Sequence, residues 1–350
     1  MTLLNFAAGL CLLVVGGELL VRGASRFAAA VGISPLVIGL TVVAFGTSSP
    51  EAAVALRSSL DGQPDIALGN AVGSNICNVL LVLGLSATVA PLVVARQLIR
   101  LDVPLMIGVS VSLLVVSLDG RISFTDGALL FSALLLYMIW SIRESRRESN
   151  SDSARSVKAS PFRMGLYLGL VALGMVLLST GANRLVESAV TIAREWQLSE
   201  LVIGLTIVAV GTSLPELATS LVATFRGERD LAVGNVVGSN IFNVLFVLGL
   251  SAVVAPEGIE VSRAALGFDI PIMIAVAVAC LPVFFTDHLI ARWEGVLFLF
   301  YYGAYTAYLF LAGAQHQALQ GFNVLMGYFV IPITVLTLGI LAVRAYRSKR

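Results

Sequence analysis

Apolar segments long enough to cross a membrane follow one another along almost the whole chain. A helix needs about 20 apolar residues to span a bilayer, and runs of that length recur here between short polar connections. The pattern predicts an all-α polytopic membrane protein. It predicts eleven transmembrane helices, near 3–21, 36–60, 66–90, 103–118, 124–142, 164–182, 201–225, 231–254, 269–285, 294–313 and 322–343.

The residues inside these segments repeat at a constant spacing. Residues 36–91 align without a gap with residues 201–256, at an offset of 165, and 37 of the 56 aligned positions are identical. Gly16 matches Gly181 at the same offset. Five predicted helices separate equivalent points, an odd number, so the second copy must enter the membrane from the opposite side. The sequence therefore predicts two inverted-topology repeats of five helices, which make ten core helices.

The repeats divide the chain into segments. The first repeat is expected at 1–142 and the second at 164–313, joined by a short hydrophilic linker at 143–163 that is rich in Ser and Arg. The predicted helix at 322–343 has no repeat partner, and a basic tail follows at 344–350.

Composition and charge agree with a membrane protein and exclude other classes. The chain is 58% hydrophobic and 12% charged, with a formal net charge of +1, so we expect a lipid bilayer around it and no nucleic-acid partner. No motif indicates a protein partner. Its three cysteines stand singly in apolar segments, which argues against disulfides and a zinc site.

Basic residues predict the orientation in the membrane. Cytoplasmic loops of membrane proteins are enriched in Lys and Arg. If the N-terminus lies outside, 17 of the 22 Lys and Arg residues fall on the cytoplasmic side. No charged segment precedes the first apolar run, so we expect a retained helix there and not a cleaved signal peptide. The predicted location is a bacterial inner (plasma) membrane.

Each repeat carries one acidic residue inside an apolar helix. The motif GTSSPE ends at Glu51 and GTSLPE ends at Glu216. Proline directly before each acid removes a backbone donor and predicts a break in the helix. Intramembrane acids are rare and usually functional, and a duplicated pair in inverted repeats indicates the binding site of a transporter.

Further oxygen-bearing groups lie at helical spacing from these acids. In the first repeat they are Ala44, Thr47 and Ser48 on the helix of Glu51, and Asn70, Ser74 and Asn78 on the next helix. In the second repeat they are Ala209, Thr212 and Ser213 on the helix of Glu216, and Asn235, Ser239 and Asn243 on the next helix. Asn75 and Asn240 lie one residue off the face of these asparagines and serines. The groups are carboxylates, hydroxyls, amides and carbonyls. Such ligands select hard cations, so Ca²⁺ or Na⁺ fits as a transported substrate, and no cofactor is expected.

Two glutamates brought together could neutralise one Ca²⁺ or, alternately, two monovalent ions. When the site is empty, repulsion between the carboxylates in a low dielectric favours refilling or protonation before the protein reorients. This coupling is the physical basis for exchange without leak.

The motifs GTSSPE and GTSLPE, together with GSNICN and GSNIFN, resemble those of the calcium/cation antiporter superfamily, most closely those of its prokaryotic sodium/calcium exchangers. The resemblance spans about residues 1–313. It implies that the second and third helices of each repeat surround four cation sites near the midplane. It also implies that the first and sixth helices slide across the other eight during alternating access.

The resemblance implies roles for individual residues. It implies Ca²⁺ ligands at Glu51, Glu216, Thr47 and Thr212, and Na⁺ or shared ligands at Ala44, Ala209, Ser48, Ser213, Ser74, Ser239, Asn78 and Asn243. In one branch of the family an Asp at the place of Asn243 goes with potassium dependence. Asn243 therefore favours potassium-independent exchange.

Other functions stay open on the sequence alone. A Ca²⁺/H⁺ antiporter could use the same glutamate pair. A cation channel usually repeats its acids by subunit symmetry, and an intramembrane hydrolase would need two carboxylates in unlike surroundings. The sequence favours a Ca²⁺/Na⁺ antiporter that is not an enzyme.

Overall fold

A computed structural model describes residues 2–151, 160–197, 203, 207, 209–286 and 288–348. Within that part the helices are α1 (Thr2–Val31), α2 (Pro35–Thr47), α3 (Ser49–Leu60), α4 (Ile66–Val89), α5 (Leu98–Val116), α6 (Phe124–Ser151), α7 (Pro161–Glu195), α8 (Leu214–Phe225), α9 (Arg229–Val254), α10 (Ala265–Phe285), α11 (Arg292–Gly313) and α12 (Ala318–Ser348). Nine of these described helices could each cross a membrane, and α2 with α3 makes a bent tenth. The predicted all-α polytopic fold is confirmed.

Several helices extend beyond the apolar segments that predicted them. Helix α1 continues to Val31 and α7 runs from Pro161 to Glu195, while α6 continues to Ser151, into the segment expected as a flexible linker. Hydropathy marks only the part of a helix within the membrane, and Arg, Glu and Ser can continue it in water. Residues 152–159, and most of the predicted helix at 201–225 before residue 209, lie outside the described residues.

Helices α1 and α7 pack with their backbones in contact. A Cβ atom on Gly9 would lie 2.9 Å from the Gly181 carbonyl oxygen, and one on Gly174 would lie 2.8 Å from that of Gly16. Only glycine allows this approach. Gly9 and Gly16 correspond to Gly174 and Gly181 at the 165-residue offset, so the contacts are reciprocal between the two repeats.

Buried apolar side chains form two main clusters. One joins α1 and α7 to parts of α2, α8 and α9, and includes Leu20 and Leu178. The other joins α4, α5, α6, α9 and α10 and includes Leu83 and Phe242. Helix α2 supplies Val37 to the first cluster and other residues to the second. It therefore lies between the α1–α7 pair and the rest of the core.

Two short antiparallel strand pairs join loops from different repeats. Strand β1 (Leu92–Val93) pairs with β4 (Leu289–Ile290), and β2 (Arg121–Ile122) pairs with β3 (Ile259–Glu260). Each pair connects the loops that follow helices of the two repeats.

Candidate cation-binding site

The helix that carries the first acid is bent by 44° between α2 and α3. Pro50 follows the bend and cannot donate a backbone hydrogen bond to the preceding turn. The second acid has the same setting, since α8 begins at Leu214, just before Pro215. Glu51 and Glu216 thus both stand in the first turn of a helix, where free N–H groups favour negative charge.

The two repeats exchange hydrogen bonds at the site. Thr47 donates through Oγ1 to Asn235 Oδ1 at 3.1 Å, and its counterpart Thr212 donates to Asn70 Oδ1 at 3.2 Å. Each threonine hydroxyl also lies beside a serine hydroxyl of the other repeat. The Thr47–Ser239 distance is 3.3 Å and the Thr212–Ser74 distance is 3.4 Å.

Asparagine amides orient the backbone around the acids. Asn70 donates through Nδ2 to the Glu51 carbonyl oxygen, and Asn235 donates to that of Glu216, each at 3.4 Å. The amides of Asn75 and Asn240 each donate to the other residue's backbone carbonyl at 3.2 Å. These two residues, one position off the predicted face, connect the repeats directly.

The two carboxylates are fully buried. Ser48 donates through Oγ to Glu216 Oε1 at 3.3 Å. Neither Glu51 oxygen, nor Glu216 Oε2, has a hydrogen-bond partner among the described residues. Leaving a buried charge without a partner is strongly unfavourable. A cation between the carboxylates would supply the missing interactions.

The site departs from symmetry at several side chains. Asn243 donates through Nδ2 to Asn75 Oδ1 at 3.0 Å, whereas neither polar side-chain atom of Asn78 has a partner in the described part of the chain. The hydroxyl of Ser213 is likewise unpaired there, although its counterpart Ser48 contacts Glu216. Asn78 and Asn243 each begin a π-helical turn, a feature frequent at functional sites.

The two predicted carbonyl ligands lie in the helical segments just before the acids. The Ala44 carbonyl accepts a hydrogen bond from the Ser48 backbone N–H at 2.9 Å and from the Thr47 hydroxyl at 3.4 Å. Ala209 lies in the short helical turn Ala209–Gly211, directly before α8.

Two residues that the sequence analysis did not name also contact the site. Ser220 accepts from Asn235 Nδ2 at 3.0 Å, and the Met273 sulfur lies 3.4 Å from Asn75 Nδ2. Ser220 is four residues after Glu216, so helical spacing could have identified it. Nothing in the local sequence marks Met273.

One end of the site is more enclosed than the other. Thr47, Asn235 and Ser239 are fully buried, whereas Thr212 and Asn70 are partly exposed. Asn235 lies two turns into α9, near Arg229, and Asn70 occupies the corresponding place in α4. Since inverted repeats run in opposite directions, these positions belong to opposite sides of the membrane. We refer to the Asn235 side, which is the more enclosed one, as the closed end of the site.

Comparison with known proteins agrees with this architecture. The model of the family described as sodium/calcium exchanger protein matches residues 1–143 and 166–311. The chain belongs to this family of exchangers. The exchanger is therefore a transporter of the calcium/cation antiporter superfamily, as its paired motifs predicted.

Relatives match the exchanger over most of their length. It is 40% identical to the inner membrane protein YrbG of Escherichia coli over 77% of this chain and 84% of that protein. It is 38% identical to the putative antiporter CaxA of Alkalimonas amylolytica over 78% and 86% of the two chains. It is 32% identical to the sodium/calcium exchanger MaX1 of Methanosarcina acetivorans over 86% and 96%.

The exchanger also resembles solved structures of the sodium-calcium exchanger NCX_Mj. A crystal soaked with 2.5 mM Na⁺ and 1 mM Sr²⁺ gives a TM-score of 0.76 at 32% identity, over 87% of this chain and 97% of that one. The prediction of a multi-pass membrane protein is thus confirmed both by the apolar helices and by this likeness.

Proposed function

We propose that the protein is a secondary antiporter that exchanges Ca²⁺ for Na⁺ across a bacterial inner membrane by alternating access. The observation that carries this proposal is the pair of fully buried carboxylates of Glu51 and Glu216, three of whose four oxygens lack partners among the described residues. Two negative charges match one Ca²⁺ or two Na⁺, so the same pair can hold either cargo alternately.

The neighbouring oxygens divide between the two cargoes in this proposal. Thr47 and Thr212, which bridge the repeats, join the glutamates around Ca²⁺. The Na⁺ or shared ligands are Ala44, Ala209, Ser48, Ser213, Ser74, Ser239, Asn78 and Asn243. Buried oxygens without partners in the described part of the chain, on Ser213, Asn78 and Asn243, support that assignment.

Potassium is not required in this proposal because the site has too little negative charge for it. Asn78 and Asn243 are neutral, and the described residues around the site supply only the carboxylates of Glu51 and Glu216. Binding K⁺ together with Ca²⁺ would leave a net positive charge buried in a low dielectric, which is unfavourable.

We also propose that the two transport repeats occupy 1–142 and 164–313, with the connection at 143–163 in the cytoplasm, an additional helix at 322–343, a basic cytoplasmic tail at 344–350 and the N-terminus outside. The reciprocal contacts of Gly9 with Gly181 and of Gly16 with Gly174 support the repeat boundaries. The distribution of basic residues supports the orientation.

Uptake of ⁴⁵Ca²⁺ into proteoliposomes tests the coupling ion. Outward Na⁺ and H⁺ gradients are imposed separately, with K⁺ absent, and Glu51→Gln protein is the control for leak. Uptake that follows the Na⁺ gradient without K⁺ supports the proposal. Uptake that follows only the H⁺ gradient would establish a Ca²⁺/H⁺ antiporter that uses the same glutamates.

A further inference from the structure

A charged contact joins α1 to the end of α8, away from the cation site. Glu18 on α1 contacts Arg226 through both Nε and Nη2 of the guanidinium. Arg22, one turn further along α1, contacts the same carboxylate at 2.5 Å. The side chains of Glu18 and Arg226 are 28% and 34% exposed, so water screens this two-bond contact only in part.

This contact lies at the closed end of the site. Arg226 directly follows α8, and a short turn leads from it into α9, the helix of Asn235. At the same end α2 packs tightly on α9, because a Cβ atom on Gly234 would lie 2.8 Å from the Leu36 carbonyl oxygen. The ion pair therefore ties α1 to the core on the side where the site is shut.

Repeat symmetry places different charges at the opposite end. At the offset of 165, Glu18, Arg22 and Arg226 correspond to Asn183, Glu187 and Asp61. One amide and two acids cannot form the equivalent contact, and Asp61 instead contacts the exposed Arg57 at 3.6 Å. Inverted-repeat carriers open and close the two ends in turn by moving one repeat or bundle against the other around a fixed site. Closure of the opposite end thus gains no matching ion pair.

We propose that Glu18, Arg22 and Arg226 form a one-sided latch that stabilises the state closed at the Asn235 end. The inference rests on the proposed alternating access. To open that end, α1 must slide past α8, and the two-bond contact is lost without replacement at the other end. The latch therefore biases the empty exchanger towards the state with the Asn70 end accessible. None of the three residues touches the cation site, so the latch leaves ion selectivity unchanged.

Cysteine labelling measures this bias directly. Ala232, fully buried at the closed end of α9, is replaced by Cys in protein whose native cysteines, Cys11, Cys77 and Cys280, are changed to Ala. Its rate of reaction with a water-soluble maleimide is measured without Na⁺, Ca²⁺ or a gradient. Glu18→Gln and Arg226→Gln should each raise the rate about fivefold, and the double variant no further, because each removes the same contact between α1 and the end of α8.

A matched ion pair serves as the control. Arg57→Gln removes the exposed pair at the opposite end and should leave the labelling rate unchanged. The paired change Asn183→Glu with Asp61→Arg should raise the rate in protein with an intact latch, because it provides the missing contact at the other end. Unchanged rates in the Glu18 and Arg226 variants, or additive effects in their double variant, would overturn the latch.

Transport is measured in parallel on the same proteins. Glu18→Gln should retain cation-driven ⁴⁵Ca²⁺ uptake, which also shows that it folds. A wild-type protein that ignores the Na⁺ gradient would refute the proposed coupling ion, while the labelling rates would still decide the latch. Normal Na⁺-driven uptake with no change in labelling would refute the latch alone.

Discussion

The glycine contact between α1 and α7 makes a quantitative prediction for Gly174→Ala. The added Cβ atom would lie 2.7 Å from the Leu20 backbone nitrogen and 2.8 Å from the Gly16 carbonyl oxygen, where ordinary contacts begin at 3.4 Å. The helices must therefore separate locally by about 0.7 Å. Both neighbours are backbone atoms, so rotation of a side chain cannot relieve the clash.

The size of the effect follows from two opposing contributions. Overpacking costs about 1–3 kcal/mol, while alanine in place of glycine returns up to about 1 kcal/mol of helix stability. We expect a net loss of about 1–2 kcal/mol in the free energy of unfolding, with a melting temperature lower by about 2–6 °C. We also expect slower ⁴⁵Ca²⁺ uptake, because the α1–α7 pair packs on α2 and α8, the helices that carry Thr47 and Glu216.

A second glycine on the same helix provides the control. Gly169 is exposed, and a Cβ atom added to it would have no described atom within 4 Å. Gly169→Ala should therefore melt at the wild-type temperature or slightly above it, with unchanged uptake. Thermal unfolding of the purified proteins and uptake into proteoliposomes measure both effects. Equal melting temperatures and uptake rates for the two variants would refute the steric reasoning.

Three further predictions concern the site and the topology. Glu51→Gln or Glu216→Gln should lower Ca²⁺ affinity at least about 100-fold, because the bound cation loses one of its two buried carboxylate partners. Equilibrium ⁴⁵Ca²⁺ binding measures this loss. Near-normal affinity would exclude the substituted glutamate as a ligand. Thr47→Val should lower uptake about 5- to 50-fold by leaving Asn235 Oδ1 without its donor, while Thr47→Ser should retain most of it. A cysteine at Ser151 should react with impermeant reagent only from the cytoplasmic side, and labelling from outside would reverse the predicted orientation.

Much of the architecture could be predicted because it depends on local composition and on repetition. Apolar length determines where a helix can cross the bilayer, and the 165-residue repeat identified Glu51 and Glu216 as equivalent positions. Proline before each acid indicated the helix break that is observed between Thr47 and Ser49. Helix ends were less predictable, because α6 and α7 continue as polar helices beyond their apolar segments.

The sequence by itself determined the membrane class, the inverted repeats, and the faces on which the acids and hydroxyls lie. Only the tertiary structure decided that Thr47 bonds to Asn235, 188 residues away, and that the site is closed on that side. Helical spacing specifies which side chains share a face but not which helix packs against that face. The site motifs that the two repeats share also do not show which end is closed, because both ends carry the same polar residues and differ in how deeply these are buried.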